Sequence, residues 1–356
     1  MAATRGPAAG QTLKAGVIAD VTGAAGVYGS VQRNAYDLAN DDVKSGLLDA
    51  GGVNLTFNIQ DAASDTNQVA NLMQRFTTDG SAIILGPTLS GEAFKADPIA
   101  VKANVPILAT SNTADGIPQQ GPCVFRNSLS EAQVVPATVA KTYALWKYKT
   151  AAIIYGDDNA FTKADYDIFK AALDKLGVKI VDVETFHTND VDFQAQLTKL
   201  KTKNPDVIVN GALFPEATKI INQAGKLGIK AHMMGGNGLN SPKMYEVAGP
   251  AAQGVVVGSA WYIGGQAGGN GTFVARYQKR FGALPDQFAA QAYAAAQIIA
   301  ALARQGDVTS AALCNGMKTM KVVQTVLGPY SFEPNRDAKG APVVLQIVKD
   351  GFAPLK

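Results

Sequence analysis

Short apolar runs alternate with amphipathic stretches along most of the chain. Leu13 to Val21, LKAGVIADV, reads as a fully buried strand, and Thr22 to Gly29 is the loop after it. A helix through Ala35, Leu38 and Ala39 leads to a strand over Val53 to Ile59, which runs out at Asp61-Ala62-Ala63-Ser64-Asp65. Thr66 then caps a helix in which Val69, Leu72, Met73 and Phe76 fall on one stripe, and Gly80 ends it. Ala82-Ile83-Ile84-Leu85 is a third strand, broken at Gly86-Pro87 by a loop with Thr88 and Ser90. After a further helix, Pro106-Ile107-Leu108-Ala109 ends in a second polar loop, Thr110-Ser111-Asn112-Thr113. Strand, loop and helix in this repeating order predict a doubly wound α/β domain.

The pattern pauses after Phe125-Arg126-Asn127, where Ser128 to Gln133 reads as a crossing, and then restarts. A helix through Val139, Tyr143 and Leu145 precedes strand Ala151–Tyr155, helix Ala164–Leu176, strand Val178–Val183 and helix Phe193–Lys203. Strand Asp206–Ala212, helix Glu216–Leu227 and strand Ile229–Met234 follow. The second half thus repeats the architecture of the first, which implies two similar lobes. Val255-Val256-Val257 leads to Ser259-Ala260-Trp261 and a Gly-rich loop from Gly264 to Gly271. The helix Phe288–Ala303 is rich in Ala, which suits close packing on a sheet. Two β-type runs, Val323–Phe332 and Val343–Val348, close the chain around a polar turn at Asn335-Arg336-Asp337.

Length agrees with two lobes, since 356 residues exceed the usual size of one domain. Charged residues are 17% and hydrophobic ones 47%, the balance of an ordinary globular protein. A net charge of +3 is too weak to point to nucleic acid, and the basic run Lys199 to Lys203 reads as a solvated helix face. No run reaches the roughly 18 to 20 apolar residues of a membrane-spanning helix, so a soluble chain is expected. The start, MAATRGPAAGQTLKAG, is Ala/Gly-rich and without visible structure. It shows no charged segment followed by an apolar core, and a chain beginning after a removed leader would look the same.

Candidate chemistry is sparse. Cys123 and Cys314 could form one bridge or remain two thiols, and His187 and His232 lack metal-ligand spacing. Neither a metal nor a cofactor is therefore expected. Gly23, Gly26 and Gly29 are spaced G-x-x-G-x-x-G and so lack the turn that a dinucleotide pyrophosphate needs. Tyr28 projects from that loop. The two loops holding Ser90 and Ser111 to Thr113 follow neighbouring strand ends, where open parallel sheets bind ligands, and their hydroxyls and amides suit an anionic oxygen. A small carboxylate follows from this, although the same residues also serve simply as helix caps and turn formers.

Across nearly everything from Leu13 to about Val348, the chain resembles the branched-chain amino-acid-binding (Leu/Ile/Val-binding) class of periplasmic solute-binding proteins that feed ABC transporters. The likeness rests on the Leu13–Val17 strand with Thr22-Gly23 and Tyr28-Gly29, on Asp61–Asp65 before the Gln68–Phe76 helix, and on Gly86–Ser90. Further points are Phe125-Arg126 with Ser130–Gln133, Tyr155–Phe161, Phe214-Pro215-Glu216 and Gly235–Gly238. It implies two Rossmann-like doubly wound lobes of the type I periplasmic binding protein fold, joined by three crossing segments, with the ligand in the cleft between them. The first lobe would take residues 13–129 and 261–332, the second 130–260 and 333–356. Ser130-Glu131, Ser259-Ala260 and the stretch after Phe332 would be hinges, and a monomer would close on its ligand and present it to a membrane permease.

The resemblance also implies a site. Ser90, Ser111 and Thr113 would hold the ligand carboxylate, and Glu131 an α-ammonium. Asn237 stands where the amino-acid binders carry a second acidic residue, and Phe161 and Leu213 where they often carry Tyr. Tyr28 keeps an aromatic residue toward the ligand's side chain. An ammonium buried with Glu131 as its sole counter-charge is costly, so an aromatic or otherwise hydrophobic carboxylic acid is expected ahead of leucine, isoleucine or valine. Tyr28 could instead cover its own lobe, Asn237 shape the Gly-rich turn, Glu131 form a hinge ion pair, and Phe161 and Leu213 belong to the core. An enzyme on the same architecture is the remote alternative, since no GxSxG elbow, P-loop or His paired with a nucleophile is present and no catalytic residue is assigned. A sensor or repressor domain would need a DNA-binding or membrane segment, which the chain lacks.

Overall fold

The computed structural model describes residues 8–356, and the expectation of an unstructured start falls for residues 1–7 outside the described residues. In chain order the first elements are β1 (Thr12–Ala19), α1 (Gly26–Lys44), β2 (Asn54–Asp61), α2 (Thr66–Phe76), β3 (Ile83–Leu85), α3 (Ser90–Lys102), β4 (Ile107–Ala109) and β5 (Val124–Arg126). Next come α4 (Glu131–Trp146), β6 (Thr150–Gly156), α5 (Ala160–Lys175), β7 (Lys179–Phe186), α6 (Gln194–Lys203) and β8 (Val207–Gly211). They continue with α7 (Phe214–Lys226), β9 (His232–Gly235), α8 (Met244–Ala248) and β10 (Val256–Ser259). The chain then adds α9 (Asn270–Phe281), α10 (Gln287–Arg304), α11 (Ser310–Thr319), β11 (Val323–Thr325), β12 (Gly328–Phe332), β13 (Ala338–Lys339), β14 (Val343–Val348) and β15 (Gly351–Pro354).

Two compact units result, each an α/β unit with a mainly parallel sheet, as the alternation of apolar runs and amphipathic helices requires. Among the described residues, unit 1 comprises 8–112, 116–128 and 263–340; unit 2 comprises 113–115, 129–262 and 341–356. The sheet of unit 1 is parallel throughout, in the order β2-β1-β3-β4-β5. That of unit 2 runs β15-β14-β10-β9-β8-β6-β7, parallel except for β14 and β15, which join antiparallel. In both sheets the strand order reverses beside the unit's first strand, between β1 and β3 and between β6 and β8. Such switch points are where open α/β sheets bind ligands.

The core of unit 1 between sheet and helices is built from the stripe legible in the sequence, with Val69, Met73 and Phe76 of α2 packed on Ile18, Ile84 and Ile107. The Ala-rich α10 lies against α1 and is buried along almost its whole length, because methyl side chains let the two helices approach closely. Cys123 and Cys314 are joined by a disulfide that ties the residue pair before β5 to α11. Beside it, Arg126 is fully buried and pairs with Asp337, with Nε 2.7 Å from Oδ1.

Several local expectations need correction. Asp65, not Thr66, caps α2, its carboxylate accepting from the amides of Asn67 and Gln68, and the helix ends at Phe76 with a turn running on to Gly80. Tyr28 is not a loop residue: α1 begins at Gly26, and Tyr28 lies buried in its first turn against Phe288. Part of the expected crossing is helical, because Ser130 caps α4 through a reciprocal bond with Gln133 and the helix opens at Glu131.

Candidate functional site

At the switch point of unit 1 the loop after β1 is held by Asp61, whose Oδ1 accepts from the amides of Val21, Thr22 and Ala63. The loop after β3 is fixed from behind. Gly86 has φ +105 and lies so close to β1 that a Cβ would overlap the Ile18 carbonyl, so only glycine serves there. Thr88 Oγ1 accepts from Asp20 N at 3.0 Å and donates to Gln32 Oε1 at 3.0 Å, while Ser111 Oγ donates to the Thr88 carbonyl at 2.8 Å. Asn112 Nδ2 donates to the Pro87 carbonyl. These bonds lock the loops after β1, β3 and β4 to one another. Ser90 is the first residue of the 13-residue helix α3 and is buried. The amides of that first turn have no partner within the helix, and its dipole favours an anion at this end. The spacing of Gly23 and Gly29 is a packing matter: Gly23 makes a left-handed turn, and a Cβ on Gly29 would strike the Asp20 carbonyl.

The switch point of unit 2 gathers the remaining candidates. Phe161 stands in the first turn of α5, whose cap is Asn159, and is buried; Leu213 immediately precedes α7 and is half-buried. Glu131, the first residue of α4, has no exposed surface. Its Oε1 accepts from the Thr113 hydroxyl at 3.0 Å and from the Asn237 amide at 3.0 Å, and its own amide donates to the Thr113 carbonyl. Asn237 opens a single 3-10 turn, Asn237–Leu239, directly after β9 and Gly236. Glu131, Thr113 and Asn237 are thereby brought together in one unit, whereas Tyr28, Ser90 and Ser111 belong to the other.

Sequence reasoning missed one member of this cluster. Asp165 lies one helical turn beyond Phe161 on the same face of α5 and is completely buried. Its carboxyl lies against Gly236, where a Cβ would overlap Oδ1, and neither carboxyl oxygen has a hydrogen-bond partner among the described residues. Burial first, and then the like charge of Glu131, push that carboxyl well above the usual range. Glu131 thus holds the Asn237 amide, while Asp165 lies against the glycine before it. The available signal was an Asp four residues after Phe161 on a face that otherwise packs on the sheet.

Comparison with known proteins agrees with this architecture. A sequence profile for a family described as periplasmic binding protein matches residues 12–352. Leu/Ile/Val-binding protein homolog 1 of Brucella suis biovar 1 is 29% identical over 333 residues, 91% of this chain and 87% of that protein. The solved substrate binding protein LivJ of Streptococcus pneumoniae, in complex with isoleucine, matches with a TM-score of 0.88 at 24% identity, covering 96% of this chain and 98% of that one. A solute binding protein from R. palustris in complex with benzoate gives a TM-score of 0.86 at 21% identity, over 97% and 95% of the two chains. At those identities the solved structures speak to the fold, the type I periplasmic binding protein architecture. No helix among the described residues is long and apolar enough to cross a membrane. With the profile spanning almost the whole chain, this protein belongs to the periplasmic binding protein family, the substrate-binding receptors of ABC transporters.

Proposed function

We propose that the protein is the extracytoplasmic receptor for a hydrophobic α-amino acid, which it delivers to an ABC permease by closing around it. The observation that carries the ligand class is the buried pair Glu131 and Asp165. The sequence pointed to an acid without an ammonium because Glu131 alone supplied charge there; Asp165 adds a second carboxyl. Since burial and Glu131 hold the Asp165 carboxyl toward its neutral form, the pair presents one negative charge, the complement of a single ammonium. A ligand that brings only a carboxylate would face that charge without offsetting it. Ser90 and Ser111 from unit 1, together with Thr113, would take the ligand carboxylate, and Phe161, Leu213 and Tyr28 its apolar body. Asn237 would bond a polar group of the ligand. The Brucella relative, named as a Leu/Ile/Val-binding protein homolog, supports the same class. The disulfide between Cys123 and Cys314 supports an oxidising compartment such as the periplasm.

A second reading is an aromatic acid without an ammonium. It is favoured by Phe161 and Leu213, which put apolar side chains at the unit 2 switch point, and a benzoate-binding neighbour shares the fold. Titration calorimetry separates the two. Micromolar or tighter binding of leucine, isoleucine or valine, lost in Glu131→Gln, is expected. Heat from benzoate and 4-hydroxybenzoate with all three amino acids silent would replace the first reading by the second.

A further inference from the structure

A second pair of buried carboxyls lies in unit 1, apart from the residues assigned above. Asp20 directly follows β1, and Glu92 sits in the first turn of α3, two residues after Ser90. Asp20 Oδ1 accepts from the Ser64 amide at 2.7 Å, and Glu92 Oε2 accepts from the Leu89 amide at 3.0 Å. The other two oxygens, Asp20 Oδ2 and Glu92 Oε1, are buried and meet no N–H or hydroxyl donor among the described residues. The two carboxyls are nevertheless within hydrogen-bonding reach of each other. Two ionised carboxylates are both pure acceptors, so this contact requires a proton between them. The charged groups that act on the pair are its own two members and Asp61 from β2, all acidic.

We propose that Asp20 and Glu92 share one proton and act as a positioning pair behind Ser90, limiting carboxylate binding at the start of α3 to pH values at which that proton is held. With it in place the pair carries one negative charge, and a neutral Glu92 holds the Leu89 amide without opposing an anion at the helix end. Once it leaves, two buried negative charges face each other beneath the same helix end. Burial and then the charge of Asp20 raise Glu92 to about 9, while burial raises Asp20 to about 6. Because the folded value of Glu92 lies above its ordinary 4.5, the folded protein keeps a proton that the unfolded chain releases. Its stabilising contribution is complete below the ordinary value and is lost as the pH rises toward 9. The consequence for binding rests on the proposed carboxylate site; the shared proton does not.

The test begins with ligand-free protein. Carbon-13 NMR of protein labelled at its Glu and Asp carboxyl carbons should show a signal, absent in Glu92→Gln, that titrates well above pH 7. Titration of that signal below pH 6 would overturn the proposal. Thermal unfolding from pH 5 to 10 should show a loss of stability with rising pH that is shallower in Glu92→Gln, whose amide can donate to Asp20 as the protonated acid does. Equal slopes in the two proteins would also overturn it. L-leucine and benzoate are then titrated into both proteins at pH 7 and pH 10. For whichever binds, affinity should fall about tenfold further in the wild type than in Glu92→Gln, and an equal fall would remove the positioning role. Silence from both probes, with the carboxyl titrating as expected, would count against the proposed ligand and leave the shared proton standing.

Discussion

Each unit carries a pair of buried carboxyls at its own switch point, and the pairs are wired differently. In unit 1, Asp20 and Glu92 face each other, each anchored to one backbone amide of a different loop, Ser64 and Leu89. In unit 2, Glu131 accepts from the Asn237 amide and the Thr113 hydroxyl, while Asp165 lies against the neighbouring Gly236. The first arrangement joins the loop after β1 to the start of α3, and the second sets both carboxyls beside the single turn that carries Asn237. Under the proposed function, the start of α3 would take the ligand carboxylate and Glu131 in unit 2 the ammonium.

The largest expected effect separates the two pairs directly. Glu131→Ala removes the bonds from the Thr113 hydroxyl and the Asn237 amide to a carboxylate, each worth about 1.5–3 kcal/mol. Asp20→Ala removes the acceptor of the Ser64 amide and of the proton shared with Glu92, but it also relieves Glu92 of a like charge, so it should cost less. Chemical denaturation of the two variants measures the difference, and equal losses would mean that the two pairs are built alike. Next in size is Gly236→Ala, whose methyl would overlap the buried Asp165 carboxyl. Overpacking of this kind costs about 1–3 kcal/mol, and Asp165→Ala in the same chain should recover most of it. A double variant no more stable than Gly236→Ala alone would show that the backbone, not Asp165, rejects the methyl.

Ser90→Ala should weaken ligand binding about tenfold or more, the loss of one charge-assisted bond of roughly 1.5–3 kcal/mol. Thr113→Val sharpens the comparison, because the Thr113 hydroxyl already donates to Glu131. Affinity that falls as in Ser90→Ala places Thr113 on the ligand carboxylate, whereas a loss of stability alone places it with Glu131. The smallest effect concerns pH. Asp165 is raised above its ordinary value of 3.8 by burial and by Glu131, so the folded protein holds a proton there that the unfolded chain gives up. That contribution is complete below the ordinary value and declines as the pH rises. Asp165→Asn should therefore match the wild type in acid and exceed it increasingly toward neutral pH in thermal unfolding. A constant offset at every pH would mean that Asp165 does not titrate abnormally.

Much of the scaffold was legible because period and punctuation are local. The stripe of Val69, Met73 and Phe76 gave α2 its buried face, and the apolar runs gave β1, β3 and β4. Boundaries slipped where side-chain capping decided them. Asp65 outcompeted Thr66 because its carboxylate reaches two amides at once, and Tyr28 entered α1 because the helix begins three residues after the turn at Gly23.

The sequence alone determined the alternation of strands and helices, the restart after Asn127 that makes two similar units, and the family to which the chain belongs. These follow from hydrophobic periodicity and from the order of short motifs, both written along the chain. It also placed hydroxyls at Ser90 and Ser111 after neighbouring strand ends. Only the tertiary structure decided that Cys123 and Cys314 are bridged and that Arg126 finds Asp337. It likewise brought Asp165 beneath Gly236 beside Glu131, and Asp20 against Glu92. Charge at a site is a sum over groups distant in sequence and removed from water together, and strand order and helix packing alone determine which groups those are.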